Sequence, residues 1–310
     1  VRLNDLALFV VVFASLGMAV AFPDQCAVFN PLILYAMMLL LFLSFLRIDF
    51  RALIAPSGGA VIRLSMLAGL KLIALPAVLY GAARVLIPDY AIPVLLLSGI
   101  STGVVAPFIA ILLSADLVSV LRMTIVTSVL VPFSLPALVK LMAGADITIP
   151  FFMMVRLLAL VIFVPMGLVI VMRRLFPGLT ERILGFQFPI SLLMFAIVNL
   201  GVFSKYSAFL FRYPNHLVIS LGIAYGLSVI YYGTGYLVTP GRGASERIAA
   251  GISLAIMNNV LVIVFSSRFF GPLSPILAAM YMFPFFTMIV PMRLIVGAGK
   301  VESRTRSVET

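Results

Sequence analysis

Apolar runs long enough to cross a bilayer recur from one end of this chain to the other. They fall at approximately 5–22, 29–46, 61–83, 91–113, 120–143, 151–172, 183–203, 216–238, 248–267 and 274–295. A run of roughly 20 apolar residues matches the hydrocarbon core of a membrane. Inside that core every backbone polar group must be satisfied by the segment itself, so each run is expected to be a helix. Short connections make successive helices antiparallel neighbours. Composition closes the other routes. Only 10% of the 310 residues are charged and 64% are hydrophobic, against about 25% charged in soluble domains. A soluble enzyme, a secreted disulfide scaffold and a nucleic-acid-binding domain are thereby excluded, and the chain is too apolar to be disordered.

The net charge of +11 then reads as topology rather than as nucleic-acid affinity, because Lys and Arg collect in cytoplasmic loops. With the N-terminus cytoplasmic, fourteen of the 21 basic residues fall on that side, six fall opposite, and Lys71 lies within a span. The expectation is a single membrane domain over residues 1–310, multi-pass in the cell inner membrane, with both termini cytoplasmic. The first run resembles a signal-peptide core, but its length marks it as a retained helix. Ten spans divide into five plus five, and an odd number per half inverts the second half. Inverted repeats of secondary transporters meet at a pair of interrupted helices near the midplane. Such a pair is present: Ser101, Thr102, Gly103 and Pro107 in span 4, and Asn258 and Asn259 in span 9.

The residues that could carry chemistry are few. Every Asp and Glu lies outside the span centres, so no carboxylate is available there as a cation ligand or proton carrier. Lys71 is the eleventh of 23 residues in span 3, about 15 Å from either end at about 1.5 Å per residue. Its side chain cannot cover that distance, and an intramembrane ionisable group points to function. The bland alternative is a lysine donating to loose helix carbonyls. Asn258 and Asn259 point about 100° apart on a helix; they read as a polar break, or as glue between helices. Gly103 and Pro107 are the expected helix-break residues, since proline frees carbonyls that something must satisfy. Thr124 and Ser128 share one face of span 5, with backbone-bonded hydroxyls as the plainer reading; Asn199 is read the same way. Pro76 reads as a simple kink, His216 as interfacial, and Cys26 as incidental in a short outer loop. Tyr231, Tyr232 and Tyr236 suit an interfacial aromatic belt. One Cys and one His give no metal-ligand cluster, and no cofactor or metal is expected.

Three segments carry a resemblance to a known family. They are K-L-I-A-L-P at 71–76, S-T-G-V-V-A-P-F-I-A-I-L-L-S-A-D at 101–116 followed by Thr124 and Pro132, and M-N-N at 257–259. These resemble segments of the bile acid:sodium symporter family, from span 2 to span 10. The resemblance implies ten helices with helices 4 and 9 broken and crossing. It also implies panel helices at 5–46 and 151–203 and core helices at 61–143 and 216–295. By the same resemblance the family's sodium-site residues fall here on Ala106, Pro107, Val120 and Leu254, with Asn258 and Asn259 on its Gln-Asn pair and a glutamine replaced by Lys71. Most oxygen ligands are gone and a cation stands near the old ion position, so family-type sodium coupling is not expected.

The functional expectation is a secondary transporter of a small organic solute. An anionic solute is favoured by the absence of midplane carboxylates, by Lys71, and by half-helix N-termini facing the crossing. Lys71, Thr102, Thr124, Asn258 and Asn259 are the expected solute contacts, and the bilayer the only other partner. Competing readings are a non-transporting sensor or assembly factor on a transporter fold, and an arsenite-type efflux carrier. Such carriers use a cysteine in helix four, whereas the one cysteine here is Cys26. An enzyme is not expected, because no paired aspartates, zinc helix or serine–histidine pair is present.

Overall fold

The computed structural model describes residues 3–46, 48, 58–144 and 150–288, and among these there is no β-strand. In chain order the helices are α1 (Leu3–Ala21), α2 (Pro23–Cys26), α3 (Ile33–Phe45), α4 (Gly58–Gly69), α5 (Leu75–Leu86), α6 (Ala91–Ser98), α7 (Ala106–Leu112) and α8 (Leu117–Ala143). They continue with α9 (Phe151–Leu175), α10 (Pro177–Ser204), α11 (Ser207–Arg212), α12 (Asn215–Leu237), α13 (Ala244–Ala255), α14 (Asn259–Phe269), α15 (Leu273–Met280) and α16 (Met282–Thr287).

Six continuous helical stretches among the described residues are long and apolar enough to cross a membrane: Pro23–Phe45, Gly59–Leu86, Leu117–Ala143, Phe151–Leu175, Pro177–Ser204 and Asn215–Leu237. Their outer faces are apolar as well as their inner ones. Val85, Leu141 and Phe152 are each at least 80% exposed, which is tolerable where lipid rather than water is the solvent. The chain is therefore an all-helical protein of membrane-spanning character. Residues 289–295 of the expected tenth segment lie outside the described residues.

Local sequence explains where the helices start, bend and stop. Asp116 caps α8, its carboxylate accepting from the Val118 and Ser119 amides. Proline stands in the first two positions of α2, α7 and α10, where its missing N–H would have had no partner in any case. Between α4 and α5 a single π-helical turn covers Leu70–Ala74. Pro76 cannot return an N–H to Leu72, and the turn before it widens so that the Leu75 amide bonds Leu70. Single π turns recur where a helix must present one side chain.

The helices pack in two groups. In one, α1 lies on α10, α10 on α3 and α3 on α9; in the other, α12 lies on α13 and α15, α6 on α5 and α15, and α8 on α7 and α13. Contacts of α8 with α9, and of α14 with α3 and α10, join the groups. α12 and α13 approach closely at Gly235, where a Cβ would stand 2.6 Å from Gly251 Cα.

Two expectations are corrected. Tyr231 and Tyr232 are not interfacial: both are buried, because α12 turns that face into its group instead of toward a bilayer surface. Cys26 is not in a loop; it ends α2 and is buried.

Candidate functional site

The two interrupted segments meet. Residues 99–105 separate α6 from α7, and residues 256–258 separate α13 from α14. The interruptions face each other through one antiparallel bridge, Thr102 against Met257. The Gly103 amide donates to Ile256 O at 2.8 Å, and the Asn258 amide donates to Ser101 O at 3.1 Å. The pairing is reciprocal, each break supplying one donor and one acceptor to the other. Gly103 is needed for it, since a Cβ there would lie 2.7 Å from Met257 O.

Broken helices leave orphan carbonyls at their C-terminal ends. Those of α13 are all taken. Ser253 O accepts from Thr102 Oγ1 at 2.7 Å and Leu254 O from Lys71 Nζ at 2.6 Å. Ala255 O accepts from Tyr281 Oη at 2.9 Å and Ile256 O from the Gly103 amide. At the end of α6, Ser98 O accepts from Tyr231 Oη at 3.2 Å. The Lys71 ammonium also lies over the Tyr231 ring, 4.7 Å from its centroid. A side chain from the turn between α4 and α5 thus caps the C-terminal end of α13, a side chain from α12 caps that of α6, and the two caps touch. Each helix C-terminus carries roughly half a negative charge, so a cation set between two of them is electrostatically matched. Lys71 is completely buried, and among the described residues no carboxylate is a hydrogen-bond partner of it.

Of the residues expected to form the site, Lys71, Thr102, Gly103 and Asn258 are brought together at the crossing. Thr102 holds three elements: besides its bond to Ser253, its amide donates to Thr127 Oγ1 on α8 at 2.9 Å. Asn258 caps α14, its Oδ1 accepting from the Leu261 amide at 3.4 Å. Asn259 is the first residue of α14; it is buried, and its Oδ1 has no hydrogen-bond partner. Thr124 is buried, and its hydroxyl donates to Val120 O of its own helix at 2.9 Å, as the plainer reading of that residue has it. Pro107 is not in the interruption but is the second residue of α7, past the break it was expected to form. Asn199 is glue, its Nδ2 reaching Val12 O and Ser15 Oγ of α1. His216 Nδ1 pairs with Tyr90 Oη at 2.9 Å.

Sequence reading missed Thr127, Tyr231 and Tyr281. Tyr281 sits in an ordinary apolar run and carries no local signal. Thr127 is one residue from the Thr124–Ser128 face, so the hydroxyl-rich stretch 124–128 pointed to the right turn of α8 but to the wrong side chains.

A narrow cleft runs toward the crossing from one end of the molecule. It is lined by Arg63, Leu67, Ser119, Thr239, Glu246, Ala250 and Ser253. Arg63 and Glu246 form an ion pair across its mouth, and Arg242 Nε stands 3.8 Å from the same Glu246 oxygen. Arg63 and Glu246 are 183 residues apart, as are Lys71 and Leu254. The two segments therefore run side by side in the same direction. Eight residues separate Arg63 from Lys71, about 12 Å of helix at about 1.5 Å per residue. No protein-family model matches the chain, and no curated protein matches it in sequence.

Proposed function

We propose that the chain is a secondary transporter that moves a small organic anion by alternating access, and that its own lysine stands where a coupling cation would otherwise sit. The observation that carries this reading is the Lys71 ammonium between the C-terminal ends of two broken helices, on Leu254 O and the Tyr231 ring. Two interrupted spans and a buried lysine whose hydrogen-bond partner among the described residues is a backbone carbonyl are costly to keep inside a membrane chain. Such features persist where the irregular backbone meets a transported species. The reciprocal Thr102–Met257 bridge and the reciprocal capping support ten spans arranged as a five-plus-five inverted repeat, with spans 4 and 9 discontinuous. The excess of basic residues on one side supports cytoplasmic termini in an inner membrane.

In this reading α4–α8 and α12–α16 form a rigid core, and α1–α3, α9 and α10 a panel against which it moves. The close bonding of the crossing suits movement of the core as one body. The anion preference follows from charge: Lys71 places a basic group at the crossing, and α14 presents its positive N-terminal end there. The distant likeness to bile acid:sodium symporters agrees with this arrangement, and the sodium-site replacements agree with transport that needs no sodium.

The test is a thermal-stability screen of the purified protein with small mono- and dicarboxylates, sulfonates and neutral analogues, in sodium and in potassium. A ligand that binds the native state raises its apparent stability by mass action. The hit is then assayed for counterflow in proteoliposomes. Stabilisation by an anion in both salts, with counterflow, supports the proposal. Binding without counterflow favours a sensor, and hits confined to neutral or cationic compounds overturn the anion assignment.

A further inference from the structure

Glu246 stands in the first turn of α13, and α14 carries the same segment on past the crossing to the other end of the molecule. Arg268 lies there, in the last turn of α14. Lys205, the residue that ends α10, is its neighbour. One hydrogen bond ties the two places together: Tyr206 Oη donates to Ser267 O at 3.4 Å, and Lys205 and Arg268 are the residues next to those partners. α10 belongs to one group of helices and α14 to the other, and their contact is one of those that join the groups. Two exposed cations, one from each group, are thus held at one mouth of the boundary between panel and core.

Like charges set together repel. Partial desolvation, and after it the nearby Arg268 guanidinium, hold the Lys205 ammonium below the ordinary lysine value. Among the described residues neither cation has an ion-pair partner, and no carboxylate acts on Lys205. Both stand at helix C-termini, which suits a cation, but each such end offsets only roughly half a charge. Two cations therefore leave about one positive charge uncompensated. Arg212 is turned aside onto the Tyr213 ring, 5.5 Å from its centroid. Lys205 and Arg268 also fall among the few basic residues on the sparsely basic side of the chain, where the charge bias of membrane proteins runs against them.

We propose that Lys205 and Arg268 form an oxyanion clamp at this mouth, which takes a small free phosphate, sulfonate or carboxylate between an ammonium and a guanidinium. The guanidinium supplies a fork of N–H donors and the ammonium a compact charge with rotatable donors, a combination that suits oxyanions of either tetrahedral or planar shape. The bound anion supplies the missing negative charge and links the end of α10 to the end of α14. That such an anion goes on to the crossing rests on the transport reading above; binding at the clamp does not.

Lys205 itself reports on the clamp. Purified wild-type protein in an uncharged detergent is treated with a limiting amount of an acetylating reagent, and modification of Lys205 and Lys140 is followed by mass spectrometry. Lys140 is the control, an exposed lysine over the Phe151 ring. Inorganic phosphate is titrated against chloride at constant ionic strength. Phosphate is expected to slow acetylation of Lys205 by about tenfold at roughly ten times its half-effective concentration, by mass action, and to leave Lys140 unchanged. Arg268→Gln should remove the protection and Arg212→Gln should keep it, each variant being checked for monodispersity. No protection of Lys205, or equal protection of Lys140, overturns the clamp. Protection that survives Arg268→Gln overturns the pairing. The same assay in nanodiscs separates a free anion from a lipid headgroup. Protection in phosphatidylcholine that requires added phosphate supports a clamp for a free anion. Protection in phosphatidylglycerol without phosphate, with none from phosphate in phosphatidylcholine, assigns the contact to the headgroup and overturns the proposal. None of these results bears on counterflow, so the clamp can fail while the transport assignment stands.

Discussion

Lys71 and Leu254 O form the contact from which the site is built, and their removal separates a structural from an ionic role. Lys71→Met leaves a buried carbonyl without a donor, a loss of about 1–3 kcal/mol. A melting temperature several degrees below wild type is expected in a detergent thermal-shift assay, with solute binding lost. Lys71→Gln retains a donor but no charge. It should recover part of the stability and none of the anion binding. Thr102→Val removes the hydroxyl that Ser253 O accepts while keeping the shape of the side chain, and should destabilise by a similar amount; Thr102→Ser should not. Lys71 was legible in the sequence because a lysine at that depth cannot reach either end of its span and must find a partner inside the protein. Tyr231 was not. A tyrosine toward the end of a span suits a bilayer surface as well as it suits a core, and only the packing of α12 decides. Thr124 follows the plainer of its two sequence readings, its hydroxyl donating to its own helix.

At the scale of elements, the two breaks and the tight α12–α13 crossing make separate demands on glycine. Gly235→Ala would place a Cβ 2.6 Å from Gly251 Cα and Ala250 O, whereas nothing lies within 4 Å of a Cβ at Gly233, two residues along the same helix. Gly235→Ala is expected to destabilise by about 1–3 kcal/mol through overpacking, and Gly233→Ala to be neutral or slightly stabilising, as read by thermal unfolding. Gly103→Ala should prise the Thr102–Met257 bridge apart, lowering both stability and solute binding. The positions of the breaks were legible because glycine, proline and paired asparagines are poor company for a continuous apolar helix. Their edges were not. The first break begins at Gly99, and Pro107 starts the next helix, where its missing N–H costs nothing. The π turn before Pro76 left no mark in the sequence that distinguishes it from an ordinary proline kink.

Across the whole molecule, two buried asparagines provide a comparison of packing with function. Asn199 joins α10 to α1 within one group of helices, whereas Asn258 caps α14 at the crossing. Asn258→Ala should cost about 0.5–2 kcal/mol for the loss of a cap, and Asn199→Ala a comparable amount, about 0.5–1.5 kcal/mol, for the loss of its hydrogen bonds to α1. Only Asn258→Ala should strongly impair counterflow of an anion identified by the stability screen. Equal impairment would mean that both amides serve packing alone. The all-helical, membrane-spanning character was legible from apolar run length, and the grouping of helices was not, because spans of similar composition do not say which faces meet. The central claim is that the chain carries its own cation at the crossing. The most direct measurement is thermal stability of the purified wild type and of Lys71→Gln, titrated with sodium chloride against potassium chloride at constant ionic strength. The account predicts that the wild type is indifferent to which cation is present and that Lys71→Gln melts lower in both salts. Saturable stabilisation of the wild type by sodium alone would contradict it.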